Sequence, residues 1–242
     1  MYSDGPPRDE TTQAEHYAWC DCFSPAHDSS SKWTELHFHD DVTPTEAASQ
    51  LEQLVALTAE RGLTTFAPRK DLGLALWRQI TRLPPSIALM TQVTHMDLYG
   101  SYLVSIPREI MLLERLASFE PYTSYRLHWF PYELSRCPAL RSSCISTRAL
   151  YGNYKQRPPF PRLPAGSVST GFCSVCDVLV PEERVVQRWI SLRVGTDVVP
   201  LLVNCCSGTC VQKLPEPPEG CIPRPHQGGV SSRPPRSRRS EQ

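Results

Sequence analysis

No apolar run in the 242 residues approaches the roughly 20 consecutive positions that a membrane-spanning helix requires. No charge of one sign predominates either. Lys plus Arg and Asp plus Glu both number 25, so overall charge supplies no attraction to nucleic acid or a membrane surface. The opening segment, MYSDGPPRDETTQAEHY, has acidic residues and prolines where a secretory leader carries its apolar stretch. A cytoplasmic, reducing setting is therefore expected, in which the ten cysteines are free thiols or metal ligands more naturally than disulfides. Signatures of phosphate handling and acyl transfer are missing: GSVSTG, at 166–171, is neither a P-loop nor a nucleophile elbow. Proline is what the chain has in excess, 24 residues against a usual share of roughly 5%.

Some of those prolines fall in step. Leu83-Pro84, Ile106-Pro107 and Phe130-Pro131 stand 23 and 24 residues apart. Three residues after each Pro comes an apolar side chain: Ile87, Ile110, Leu134. Met90, Leu113 and Cys137 follow in the next column, then Val93, Leu116 and Leu140. Columns that repeat together predict stacked supersecondary units rather than a generic α/β domain with fortuitous leucines.

The segment after these columns fits L-x-x-L-x-L-x-x-N-x-L, best at Val93, Met96, Leu98, Ser101 and Leu103. Here the chain resembles the leucine-rich repeat family, in its short type with LPxxI before the strand. The template lays out five units, beginning at Trp33 (Leu36, Phe38, Asp41), Leu63 (Phe66, Pro68, Asp71), Val93, Leu116 (Phe119, Pro121, Ser124) and Leu140 (Ser143, Ile145, Arg148, Leu150). The resemblance implies an α/β fold, an irregular leucine-rich repeat solenoid with a short parallel sheet, over residues 33–162. Family members usually carry Asn in the ninth column; Asp41, Asp71, Ser101, Ser124 and Arg148 stand there instead. Asp and Ser still bond to backbone, Arg not in the same way, so a degraded ladder is expected. Thirty-residue intervals at the start leave room for a helix, and TPTEAASQLEQLVALTAERG fits, with Thr43 as N-cap, Pro44 at the first position and Glu46 completing a capping box. Its apolar stripe runs through Ala47, Leu51, Leu54 and Val55, and Gly62 stops it.

In such a unit the residues between the apolar strand positions line the concave surface. They are Glu35, His37 and His39; Thr65, Ala67 and Arg69; His95, Asp97 and Tyr99; Ser118, Glu120 and Tyr122; Ser142, Cys144 and Ser146. Tyr99 and Tyr122 are expected side by side with Asp97 and Glu120, and with His95 they form the candidate surface for a protein or peptide partner bearing basic groups. His37 and His39 alternate onto one face as two metal ligands would, but no third ligand at fixed spacing accompanies them, so a metal-dependent hydrolase is only a second alternative. A non-catalytic recognition or scaffold role is the favoured reading.

Past Leu150 the composition turns rich in Pro and Gly, and a separate module is expected over 163–213. Cys173-x-x-Cys176 is a spacing that lets two thiolates of one turn face a single ion. VVQRWISLRV alternates, with Val186, Arg188, Ile190, Leu192 and Val194 on one side and Trp189 on the other. Gly195-Thr196-Asp197 marks a turn, and VVPLLVN a second strand that Pro200 assigns to a sheet edge. Cys206 and Cys210 share a face if a helix opens at CSGTC, whereas Cys205 and Cys210 diverge, so Cys206 is the expected ligand. Cys173, Cys176, Cys206 and Cys210 thus form a candidate site for structural zinc, with a redox dithiol and unliganded thiols or disulfides as alternatives. In layout the module resembles zinc ribbons and treble clefs. Residues 1–32 and 214–242 lack periodicity and are expected to be disordered tails. Arg233, Arg236, Arg238 and Arg239 leave a nucleic-acid-binding zinc protein as the main alternative.

Overall fold

The computed structural model describes residues 42–124, 126–145, 151, 159–163, 171–229 and 231–235. Helix α1, Thr45–Glu60, buries Ala47, Leu51, Leu54 and Val55 along one stripe at helical spacing. Gly62, at φ +57°, turns the chain out of it, in a region where a Cβ is strained. The expected capping box does not form. Pro44 is the N-cap and offers no side-chain bond, while the Thr43 hydroxyl accepts from the Thr81 backbone N–H at 3.0 Å. A tertiary partner has taken the hydroxyl that local pattern assigned to the helix end.

Four short strands follow in one parallel sheet: β1 (Thr65–Phe66), β2 (His95–Asp97), β3 (Ser118–Glu120) and β5 (Ser142–Ser143), in that order across the sheet. Thr65, His95, Ser118 and Ser142 lie in one row, Phe66, Met96, Phe119 and Ser143 in the next. Between β1 and β2 the chain forms two short helices, α2 (Pro68–Leu72) and α3 (Leu74–Trp77), instead of the single helix that the interval has room for.

The proline columns set the return paths. Pro84, Pro107 and Pro131 hold φ at −75°, −72° and −67° and open the 3-10 helices Pro85–Leu89, Arg108–Leu112 and Tyr132–Arg136. Each turn closes by the same bonds. Met90, Leu113 and Cys137 donate to Ile87, Ile110 and Leu134; Val93, Leu116 and Leu140 then donate to Met90, Leu113 and Cys137. All of these side chains are buried except Leu140, which is partly buried. A unit this small encloses little by itself, so the buried surface comes from stacking on its neighbours.

Among the described residues the ninth column works only in the middle. Ser101 and Ser124, both buried, join hydroxyl to hydroxyl at 2.6 Å, and Ser124 donates on to the Leu98 carbonyl at 3.1 Å. Asp71 does not take part, because it lies exposed on α2, and Leu63, which opens that unit, is 41% exposed. The Trp33 unit and Arg148 and Leu150 of the last lie outside the described residues.

A second sheet has the order β4-β7-β6, from β4 (Phe130–Pro131), β6 (Val186–Val194) and β7 (Asp197–Cys205). The expected hairpin is present, antiparallel from Val194–Asp197 to Val186–Cys205. The edge assignment from Pro200 is corrected: β7 is the central strand. Counted back from the two-residue turn, the Ser191–Pro200 pair falls at a position without ladder bonds to β6. On the other side β4 pairs only with Leu201 and Leu202, so the missing N–H of Pro200 is not called on.

Nor is the hairpin a separate body. One buried cluster runs from Ala47 and Leu51 through Ile110 and Phe119 to Ile190, Val199, Leu201 and Cys210. The Asp197 carboxylate at the hairpin turn accepts from the Ser143 hydroxyl at 3.0 Å and from the Ile145 N–H at 3.2 Å, tying it to the end of β5.

The expectation of a disordered tail from 214 is also corrected for the described part. Trp189 exchanges backbone bonds with His226 at 2.7 and 3.2 Å, and Gly229 donates to the Phe160 carbonyl. Tyr151, Phe160, Leu163, Trp189, Leu202 and Ile222 form a second core on the outer face of the hairpin. A strand with Trp189 on one face and Ile190 on the other needs both faces covered, and this segment covers one. Among the described residues no helix is long and apolar enough to cross a membrane.

Candidate metal centre and exposed sheet face

The four cysteines expected to act together are brought together. The sulfur atoms of Cys173, Cys176, Cys206 and Cys210 all lie within 4.8 Å of one another. Three of the separations are 3.7 Å (Cys176–Cys206), 3.5 Å (Cys206–Cys210) and 3.7 Å (Cys210–Cys176), too long for a disulfide.

Local bonding explains the convergence. Ser207 caps the short helix α4, Gly208–Gln212, by accepting from the Cys210 N–H at 3.4 Å, which stacks Cys210 one turn from Cys206. Strand alternation then separates the two adjacent cysteines at the end of β7: Cys206 faces the cluster, and Cys205 is fully buried in the core. The turn carrying Cys173 and Cys176 is fastened to β7, since Ser174 donates its N–H to the Asn204 carbonyl at 2.7 Å and its hydroxyl accepts from the Asn204 N–H at 3.2 Å.

Charge in this cluster is unevenly held. Burial opposes ionisation of Cys173, but backbone N–H groups of Cys176, Val175 and Cys206 outweigh it and bring the thiol down to about 7. Cys210 goes the other way, up to about 12, because it shares a proton with Cys206 and is partly desolvated. A cation at the centre of the cluster would favour the thiolate form of its ligands. Cys205 differs: burial, with the neighbouring thiols, pushes it up to about 12, as for an inert core thiol.

A set of ion pairs, which no spacing in the sequence points to, holds the Cys173–Cys176 turn against the stacked units. Asp177 sits at φ +59° directly after the turn and receives Arg108 and Arg136, the latter at 3.0 and 3.2 Å. Arg136 also donates to the Val175 carbonyl at 3.2 Å. Glu133, 1% exposed, lies under the turn; burial raises its carboxyl against a bond to Ser174 and the charges of Arg108 and Arg136.

On the parallel sheet, Tyr99 and Tyr122 follow β2 and β3 and stack with ring centroids 5.9 Å apart and 17° between planes. Both are exposed, at 40% and 46%. The Arg69 guanidinium lies 4.4 Å over the Tyr99 ring, a partner that the candidate surface did not include. Asp97 and Glu120 pair in register. Ser118 donates to Glu120 Oε1 at 2.8 Å, and His95 Nδ1 lies 3.8 Å from the same oxygen. Asp97 accepts from the Tyr99 N–H at 3.0 Å. So all five candidate residues, His95, Asp97, Tyr99, Glu120 and Tyr122, lie on two adjoining strands and their ends. Glu35, His37, His39 and Ser146 lie outside the described residues.

Fold and site define a mixed α/β protein that carries a four-cysteine group fit for a metal ion beside a parallel sheet with an exposed aromatic pair. No known family model matches the chain, and no curated protein is significantly similar to it.

Proposed function

We propose that this protein is a non-catalytic recognition or scaffold protein of the leucine-rich repeat type, that its sheet face binds another protein, and that its four cysteines hold a structural zinc ion. The stacked, in-register strands with identical 3-10 returns support the repeat assignment, as does a core shared by successive units. For zinc the support is metric. A tetrahedron with Zn–S of about 2.3 Å has S···S edges of about 3.8 Å, and the three separations here are 3.5 to 3.7 Å. A hard cation would seek oxygen ligands, and four thiolates leave no open position for a reacting water. The ion therefore closes the site and braces the hairpin.

One observation carries the binding reading: two tyrosine rings stacked on consecutive strands and left open to solvent, next to carboxylates. Such a pair contributes little to the core, yet aromatic side chains with large contact area dominate protein interfaces. The test is affinity capture from native extract with wild type and a Tyr99→Ala/Tyr122→Ala variant. A partner retained by wild type and lost by the variant, with metal content and unfolding temperature unchanged, is the expected result. Equal retention by both proteins would refute this use of the face.

A further inference from the structure

The column on the sheet face begins with a cation and, among the described residues, ends open. Arg69, Tyr99 and Tyr122 succeed one another across the sheet, guanidinium over ring at 4.4 Å and ring over ring at 5.9 Å. These spacings follow the rise of about 4.8 Å from one parallel strand to the next. Among the described residues, Tyr99 thus has both Arg69 and Tyr122 against its ring, and Tyr122 has only Tyr99. The other face of Tyr122 looks toward β5, just past which the exposed Cys144 donates its N–H to the Phe119 carbonyl at 3.2 Å. Glu120 directs Oε1 to Ser118 and His95. Its Oε2 is in neither contact. Asp97 lies on the neighbouring strand, and Asp197 brings another carboxylate to the end of β5.

From the binding role proposed for this face, on which the inference rests, we infer that the site takes an arginine side chain of a peptide partner, its guanidinium stacked on the open face of Tyr122 and paired with Glu120. Three features select that chemistry. A planar cation continues the alternation that Arg69 begins, a guanidinium pairs with a carboxylate edge while lying flat on a ring, and an ammonium cannot do both. The carboxylates of Asp97, Glu120 and Asp197 repel the phosphates of a nucleic acid while attracting a basic peptide.

The experiment uses the full-length, metal-loaded protein and fluorescence anisotropy near physiological salt. The probes are a fluorescein-labelled peptide of alternating arginine and glycine, its lysine counterpart and a labelled single-stranded oligonucleotide. The arginine peptide is expected to bind about five- to tenfold more tightly than the lysine peptide. Tyr122→Ala and Glu120→Gln should each weaken it by about tenfold, while Tyr122→Phe stays within about twofold. Glu183→Gln, exposed in the 3-10 turn Glu182–Arg184 ahead of β6, should change nothing. Equal binding of the two peptides, indifference to Tyr122→Ala in a protein with unaltered circular dichroism, or preference for the oligonucleotide would each overturn the inference. The two readings fail separately. A native partner that still depends on the tyrosines, with no arginine-peptide binding, sinks the arginine assignment alone; a partner indifferent to them sinks the face.

Discussion

Adjacent cysteines at the end of β7 offer a sharp test, because they have the same chemistry and opposite surroundings. Cys206 has its sulfur 3.7 Å from Cys176 and 3.5 Å from Cys210, whereas Cys205 is fully buried among core side chains. Replacing Cys206 by Ser removes one thiolate of four. Loss of an outer-shell partner alone costs roughly 10–100-fold in metal affinity, and loss of a direct ligand should exceed that. Structural zinc contributes about 10–16 kcal/mol in small zinc domains, so the hairpin of a Cys206→Ser protein should unfold at lower temperature and become indifferent to chelator. Replacing Cys205 by Ala removes one buried heavy atom, at a cost of about 1 kcal/mol as for Ile→Val, and leaves the sulfurs of the cluster in place. The measurements are metal content per chain by mass spectrometry and thermal unfolding with and without chelator. Wild type and Cys205→Ala should carry about one zinc, and Cys206→Ser much less. Equal loss in both variants, or wild type purified from zinc-supplied cells without metal, would refute the ligand assignment.

Further outcomes follow from other parts of the fold. Ile110→Ala, in the fully buried first column, should cost about 3–4 kcal/mol by chemical denaturation, while Leu112→Ala two residues on, 48% exposed, should stay within about 0.5 kcal/mol. Asp177→Asn keeps a residue tolerant of positive φ but gives up the charge facing Arg108 and Arg136; since the Asp177 side chain is about half exposed, stability should fall by no more than about 1 kcal/mol and zinc affinity by about tenfold or less. Asp177→Ala, which adds backbone strain, should be the worse of the two in unfolding. His226 is held neutral by burial, its pKa lowered to about 4, with Nδ1 accepting from the Gly228 N–H at 3.0 Å. A folded value below the ordinary 6.5 means that the unfolded chain takes the proton first, so its contribution is present above pH 6.5 and is lost as pH falls toward 4. Because the ring is partly exposed, about 1–2 kcal/mol is expected, measured as the loss between pH 7 and pH 4.5 in wild type relative to His226→Gln. A parallel loss in that variant would assign the acid sensitivity elsewhere, the thiolate cluster first.

Periodicity alone makes several features legible. The LPxxI columns locate the 3-10 returns, because a proline fixes the backbone just before each turn and the apolar residue after it has only the core to enter. Cys206 could be preferred to Cys205 because helical geometry brings i and i+4 to one face. The Tyr99–Tyr122 stack follows from the repeat length once the strands are taken to be parallel and adjacent. These are short-range regularities, and short-range regularities are written in spacing.

Other features depended on partners distant in the chain. Thr43 gave up its expected cap to Thr81, Pro200 went to the middle of a sheet because the two-residue β4 does not need its N–H, and residues after Leu214 found order on Trp189. The ion pairs that hold the Cys173–Cys176 turn, Asp177 with Arg108 and Arg136, join positions 69 and 41 residues apart with no repeating interval. Local sequence could name the thiols and the rings, since their roles are set by neighbours a turn or a repeat away. Only the folded chain could decide what stands behind them, because buried polar groups take whichever partner the packing of remote segments leaves within reach.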